Sequence, residues 1–174
     1  MTLPNALSIS RALLVVPVIG LIAIGDASLA FLVFLSAAAT DALDGPLARR
    51  RGGASSFGAA LDPLADKILI VGTLVALAVR GMAPAWAVGL ILARELVAIE
   101  VRARSPHAVG ASADGKAKTV LQVAATALLL ATAAWPLAGL APAAGAVVAA
   151  ATALTLLSGV RLVLRAKQTT ADPA

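Results

Sequence analysis

The stretch Asp41-Ala42-Leu43-Asp44-Gly45-Pro46-Leu47-Ala48-Arg49, followed after eight residues by Gly58-Ala59-Ala60-Leu61-Asp62-Pro63-Leu64-Ala65-Asp66, decides how the chain is read. Its four carboxylates lie in segments otherwise apolar enough to cross a bilayer. A carboxylate at that depth is costly and by default marks function. Spacings of three (Asp41, Asp44) and four (Asp62, Asp66) put each pair on one helix face. The connection between the two helices is short, which predicts antiparallel neighbours. Asp41 lies nine positions before Arg50, and Asp66 nine after Phe57. At about 1.5 Å rise per residue, both sit roughly 13 Å in from the connection. Asp44 and Asp62 match one another nearer to it. The expectation is four carboxylates converging at similar depth.

The rest of the chain fits this setting. Of 174 residues, 60% are apolar and 13% charged, and the mean hydropathy is +0.96. A soluble domain carries roughly 25% charged residues, so a water-facing globule and a disordered tail are both excluded. Two Trp, three Phe and no Tyr imply lipid as the solvent rather than a dense aromatic core. A net charge of +5 would suggest nucleic acid in a soluble protein. In a membrane protein the same excess sits in cytoplasmic loops, and no nucleic-acid partner is expected. With no Cys, nothing points to an oxidising compartment.

Six stretches are long and apolar enough to span, at roughly 6–24, 28–49, 57–79, 84–104, 116–136 and 142–166. The breaks between them carry turn or loop residues: Gly25-Asp26, Arg50 to Ser56, Gly81 to Pro84, Ser105 to Gly115, and Leu137 to Ala141. Pro142 opens the last span at a first-turn position where proline is tolerated. Trp86 and Trp135 fall beside outer loops, where indoles favour the interface. The opening residues carry no basic group and no cleavage pattern follows, so the first segment is expected to be retained. Arg49, Arg50, Arg51, Arg102, Arg104, Lys116, Lys118, Arg165 and Lys167 gather on one side and Arg80 alone on the other. The positive-inside rule puts both termini in the cytoplasm. The fold class expected is all-α: one polytopic domain over residues 1–174, a bundle of six transmembrane helices.

Four acids stay ionised together in low dielectric only if positive charge joins them. Lys67 is the one cation beside them within the span, too little for four charges. Carboxylate oxygens suit Mg²⁺ or Mn²⁺, and two ions could be bridged here. Gly45 and Ala48 share the face of Asp41 and Asp44, and Gly58 precedes Asp62 by one turn, which leaves room for a ligand. Arg49 stands near the same mouth, where it can hold a phosphate. Pro46 and Pro63 each remove one helix hydrogen bond and free a carbonyl. Read from the residues alone, two alternatives remain: polar glue between helices, and a cation or proton pathway, that is, a cation transporter.

The full string resembles the signature of the CDP-alcohol phosphatidyltransferases, with every defining position filled. The likeness continues in Leu3-Pro4-Asn5 with Ser10-Arg11, in Ala93-Arg94-Glu95 with Arg102, and in Gly115-Lys116-Ala117-Lys118-Thr119 with Gln122. Past about residue 125 the chain departs, and Ser158-Gly159-Val160-Arg161-Leu162 lacks the Tyr often found near there.

The resemblance implies transfer of a phosphatidyl group from CDP-diacylglycerol to an alcohol with release of CMP, in the cell (inner) membrane, with a cytoplasmic active site and a homodimer. Carried over by position, Asp41, Asp44 and Asp62 are metal ligands, and Asp66 both coordinates and takes the proton of the incoming hydroxyl. Gly45, Ala48, Arg49 and Gly58 shape the nucleotide-diphosphate pocket. The Arg94-Glu95 and Lys116/Lys118 patterns favour glycerol 3-phosphate as acceptor, which would give phosphatidylglycerophosphate. Inositol phosphate and phosphatidylglycerol are the alternatives. A dianionic acceptor needs cations beyond the metals, and the candidates are Arg94, Lys116, Lys118 and Arg161, with Arg102 at the same end. Glu95 is expected to pair with one of these; Glu100 has no assigned role. Arg50 and Arg51 read as headgroup anchors, His107 as a solvated loop residue, and Asp26, Asp114 and Asp172 as loop or cap residues.

Overall fold

The computed structural model describes the backbone of residues 10, 12–50, 56–104 and 113–171; side chains are described outside 41–66, 102–116, 167 and 169–171. Within these bounds the chain is all-helical, with six helices: α1 (Val15–Ile24), α2 (Ala27–Arg50), α3 (Ser56–Val79), α4 (Ala85–Arg104), α5 (Ala113–Ala134) and α6 (Leu140–Ala171). The sequence-based spans and the helices agree closely. The last two helices begin two or three residues earlier than expected, and α6 runs five residues further. Residues 1–9, where the first span was expected to begin, lie outside the described residues.

The breaks follow from local chemistry. Gly25 adopts φ +88° and closes α1, its N–H reaching Ile22 O at 3.2 Å while that of Asp26 reaches Leu21 O at 2.9 Å. Left-handed backbone of this kind favours glycine. Asp26 Oδ1 then accepts the Leu29 N–H at 3.0 Å and caps α2, so Asp26 is a cap, as expected. Gly81 (φ +70°) and Gly139 (φ +95°) mark the turns after α3 and before α6.

Each helix buries one stripe. Ala30, Phe34 and Ala37 carry that of α2, Leu69, Ile70, Leu74 and Leu77 that of α3, and Ala87, Val88 and Ile91 that of α4. Small residues at these positions let helix axes approach closely. At Gly72, an added Cβ would lie 2.7 Å from Val15 Cγ2, so α1 and α3 meet there without space to spare. α5 and α6 pack most extensively, followed by α4 on α6 and α2 on α5. Along their described lengths α2 and α3 both pack on α1 and on α5. The α2–α3 contact expected around the carboxylates falls on 41–66, whose side chains lie outside the described residues.

Among the described residues two helices, over Ala117–Ala134 and Leu140–Ala166, are long and apolar enough to cross a membrane, and only about 33% of each such stretch is buried inside the protein. Large apolar side chains such as Leu32, Val79, Leu96, Val120 and Leu157 stand exposed on the bundle. Trp86 and Trp135 are exposed too. The Trp135 ring meets Phe31 edge to face, with centroids 5.3 Å apart.

Candidate active site

The buried stripes of α4, α5 and α6 change character along their length. Near the α3–α4 and α5–α6 turns they are apolar: Ala87 and Ile91, Leu129 and Leu130, Ala144 and Val148. Toward the other end the same faces carry Arg94 and Glu95, Lys118, Gln122 and Thr126, and Thr152, Thr155 and Ser158, all buried. Helical spacing alone brings them inward, because 118, 122 and 126 or 152, 155 and 158 recur at three or four residues.

Glu95 is the centre of this polar region. Its Oε1 accepts from Arg94 Nη1 at 3.2 Å and from Lys118 Nζ. Its Oε2 faces Lys67 Nζ of α3 at 2.7 Å. One carboxylate therefore ties three helices. Arg94 Nη2 donates to Ser158 Oγ at 3.1 Å, and that hydroxyl donates to Thr155 O at 2.9 Å. Gln122 Nε2 donates to Thr155 Oγ1 at 3.0 Å, joining α5 to α6 one turn deeper. Gly159 leaves the space in which Arg94 runs, since a Cβ there would lie 2.9 Å from Arg94 Cγ. Three cations, Lys67, Arg94 and Lys118, thus gather on the one carboxylate of Glu95.

Of the residues singled out in the sequence, the structure brings Arg94 and Lys118 together through Glu95. It leaves Arg161 exposed on α6, three residues past Ser158. Asp41, Asp44, Asp62, Asp66, Gly45, Ala48, Arg49, Gly58, Arg102 and Lys116 have side chains outside the described residues, as do Arg50, Arg51, His107, Asp114 and Asp172. The backbone of 41–50 and of 56–66 is helical, so the three- and four-residue spacings of the carboxylates are one-turn spacings. Among the described residues no metal-binding cluster occurs. Sequence reasoning missed the central place of Glu95 and the parts of Lys67, Ser158 and Thr155. Recurring polar residues at helical spacing in α6 were the available signal.

The model of the CDP-alcohol phosphatidyltransferase family matches residues 1–159. The chain is 42% identical over 140 residues to a Mycobacterium tuberculosis protein named "Probable phosphatidylglycerophosphate synthase", covering 79% of this chain and 65% of that one. It is 34% identical over 147 residues to the Bacillus subtilis CDP-diacylglycerol–glycerol-3-phosphate 3-phosphatidyltransferase, covering 74% and 76%. A Drosophila melanogaster protein named "Probable cardiolipin synthase (CMP-forming)" is 42% identical over 98 residues, 55% of this chain and 30% of that one. The chain thus spans just under two thirds of the length of the mycobacterial relative.

Proposed function

Because the chain belongs to the CDP-alcohol phosphatidyltransferase family, we propose that it transfers a phosphatidyl group from CDP-diacylglycerol to glycerol 3-phosphate, giving phosphatidylglycerophosphate and CMP. The observation that carries the acceptor is the cluster in which Lys67, Arg94 and Lys118 gather on Glu95. Glycerol 3-phosphate brings a phosphate dianion, which cations so placed can hold. The names of the mycobacterial and bacillar relatives point the same way.

The donor half rests on the carboxylate string. Hard oxygen donors at one-turn spacing on α2 and α3 fit divalent cations, and Asp41, Asp44, Asp62 and Asp66 would hold two Mg²⁺ or Mn²⁺ ions. When bound, such ions neutralise the diphosphate and favour in-line displacement at phosphorus. Gly45, Ala48 and Gly58 leave room for the nucleotide diphosphate, and Arg49 pairs with it. Arg94 and Lys118, with Lys116 and Arg161 toward the same end, hold the acceptor phosphate and so orient its hydroxyl. The hydroxyl oxygen bonds to the phosphatidyl phosphorus, the bond to CMP breaks, and Asp66 takes the proton. In this reading residues 1–174 form one domain of six transmembrane helices, with termini and active site cytoplasmic, working as a homodimer in the cell membrane.

The test is CMP release by purified protein from CDP-diacylglycerol, across glycerol 3-phosphate, inositol phosphate and phosphatidylglycerol, with and without Mg²⁺ or Mn²⁺. Metal-dependent release that is fastest with glycerol 3-phosphate is expected. Release with phosphatidylglycerol alone would favour the activity in the Drosophila relative's name, and no release with any acceptor rejects the family chemistry for this chain.

A further inference from the structure

Gln122 and Thr155 make a bond between α5 and α6 that no step of the proposed reaction uses. Both are buried, and Gln122 Nε2 donates to Thr155 Oγ1 at 3.0 Å. α6 presents buried hydroxyls at one-turn spacing, on Thr152, Thr155 and Ser158, and each has its own partner. That of Thr152 donates to Val148 O within α6 at 2.8 Å. That of Thr155 accepts from Gln122, and that of Ser158 accepts from Arg94 Nη2 at 3.1 Å. Thr155 serves the last two levels together. Its carbonyl accepts the Ser158 hydroxyl at 2.9 Å, which leaves a lone pair of that oxygen for the guanidinium.

The apolar stripes of the two helices say little about height. They carry Ala125, Leu129 and Leu130 in α5 and Ala144, Val148 and Ala151 in α6. Alanine at three of these positions leaves shallow ridges, so a shift of α6 along α5 would bury much the same area. The hydroxyls are not interchangeable in this way. A shift of one turn, about 5.4 Å, that set Gln122 against Ser158 would take from Arg94 the oxygen it holds. Fixing register in an apolar helix seam is the best-attested use of a buried polar group. We propose that Gln122 is a positioning residue of the enzyme: through Thr155 it fixes the height of α6 against α5, and with it the Ser158 oxygen that aims Arg94. Gln122 itself touches no substrate. The kinetic consequence rests on the acceptor role proposed for Arg94; the register does not.

Gln122→Leu removes the donor and Thr155→Val the acceptor, each with little change of volume. In Gln122→Leu the Thr155 hydroxyl can turn to its own helix, as those of Thr126 and Thr152 do. Each variant is expected to raise the KM for glycerol 3-phosphate about 3- to 15-fold, the scale of one interhelical hydrogen bond in a membrane. The KM for CDP-diacylglycerol should stay within about twofold, a split that general loosening would not give. The double variant should be no worse than either single one, and Thr155→Ser, which keeps the hydroxyl, should behave as the unsubstituted protein does. Additive losses, equal effects on both substrates, or a Thr155→Ser as impaired as Thr155→Val overturn the proposal. The register is read without turnover, in the full-length protein in detergent, because the chain has no Cys of its own. Leu129 lies seven residues after Gln122 and Val148 seven before Thr155, which sets them level on antiparallel helices. A Leu129→Cys, Val148→Cys pair should therefore form a disulfide in preference to a Leu129→Cys, Ala144→Cys pair. Gln122→Leu should lower that preference, and an unchanged preference overturns the proposal. If the protein turns over no glycerol 3-phosphate, the acceptor reading fails, and the cross-linking alone decides the register.

Discussion

Arg94 illustrates how much of the site depends on what a neighbouring position lacks. Its chain passes over Gly159, and a methyl group there would sit 2.9 Å from Cγ on a side chain already fixed at its far end by Glu95 and Ser158. Gly159→Ala should therefore displace the guanidinium, raising the KM for glycerol 3-phosphate several-fold with little change in that for CDP-diacylglycerol; equal effects on both would detach Arg94 from the acceptor. Lys118→Ala removes a buried ammonium from Glu95 and is expected to show the same split more strongly. For the carboxylates the comparison is between roles. Asp66→Asn should lower kcat by about 10²–10⁴, the usual cost of a lost general base, while metal-dependent nucleotide binding persists. Asp41→Asn should weaken that binding itself. Metal titration of CMP binding separates the two, and equal loss in both would make Asp66 chiefly a ligand. The carboxylate spacings are read from the sequence because they are local; their side chains lie outside the described residues. A pairing of Glu95 with one cation is expected from the sequence and found, but the meeting of Lys67, Arg94 and Lys118 on it was not legible, because it exists only once α3, α4 and α5 stand side by side.

At the scale of elements, local signals read well. Gly25, Asp26 and Gly81 announce their turns because a left-handed residue or a cap is a property of two or three positions. Which helix takes which face is decided by fit over whole stripes, and the packing of α1 and α5 on both α2 and α3 has no such local signal. The α1–α3 contact gives a direct check. Gly72→Ala drives a Cβ to 2.7 Å from Val15 Cγ2, and overpacking of this kind costs about 1–3 kcal/mol. A lowered melting temperature in detergent is expected, with recovery in the Val15→Ala, Gly72→Ala double variant, since contacting pairs are non-additive. Additive losses would mean that the two residues do not meet.

For the whole molecule, the absence of Cys makes sidedness measurable with single introduced thiols. Ser105→Cys lies in the connection after α4, and Ala138→Cys in the one before α6. An impermeant maleimide added to intact cells should label the second and spare the first, as the basic residues predict; the reverse pattern would invert the chain in the membrane. The 32 residues of α6 extend about 48 Å, longer than the roughly 30 Å of a bilayer's hydrocarbon. The bonds between helices are unevenly shared. Gln122–Thr155, Arg94–Ser158 and the three partners of Glu95 join α3, α4, α5 and α6. Ser36 and Thr40 of α2 bond instead to carbonyls one turn back, and α1 carries no polar side chain over Val15–Ile24. Helices nested by shape slide past one another at small cost, whereas helices pinned at several points do not. Mechanical compliance is therefore greatest at α1, and a strain that slides it along its neighbours leaves the riveted geometry around Glu95 at ångström scale.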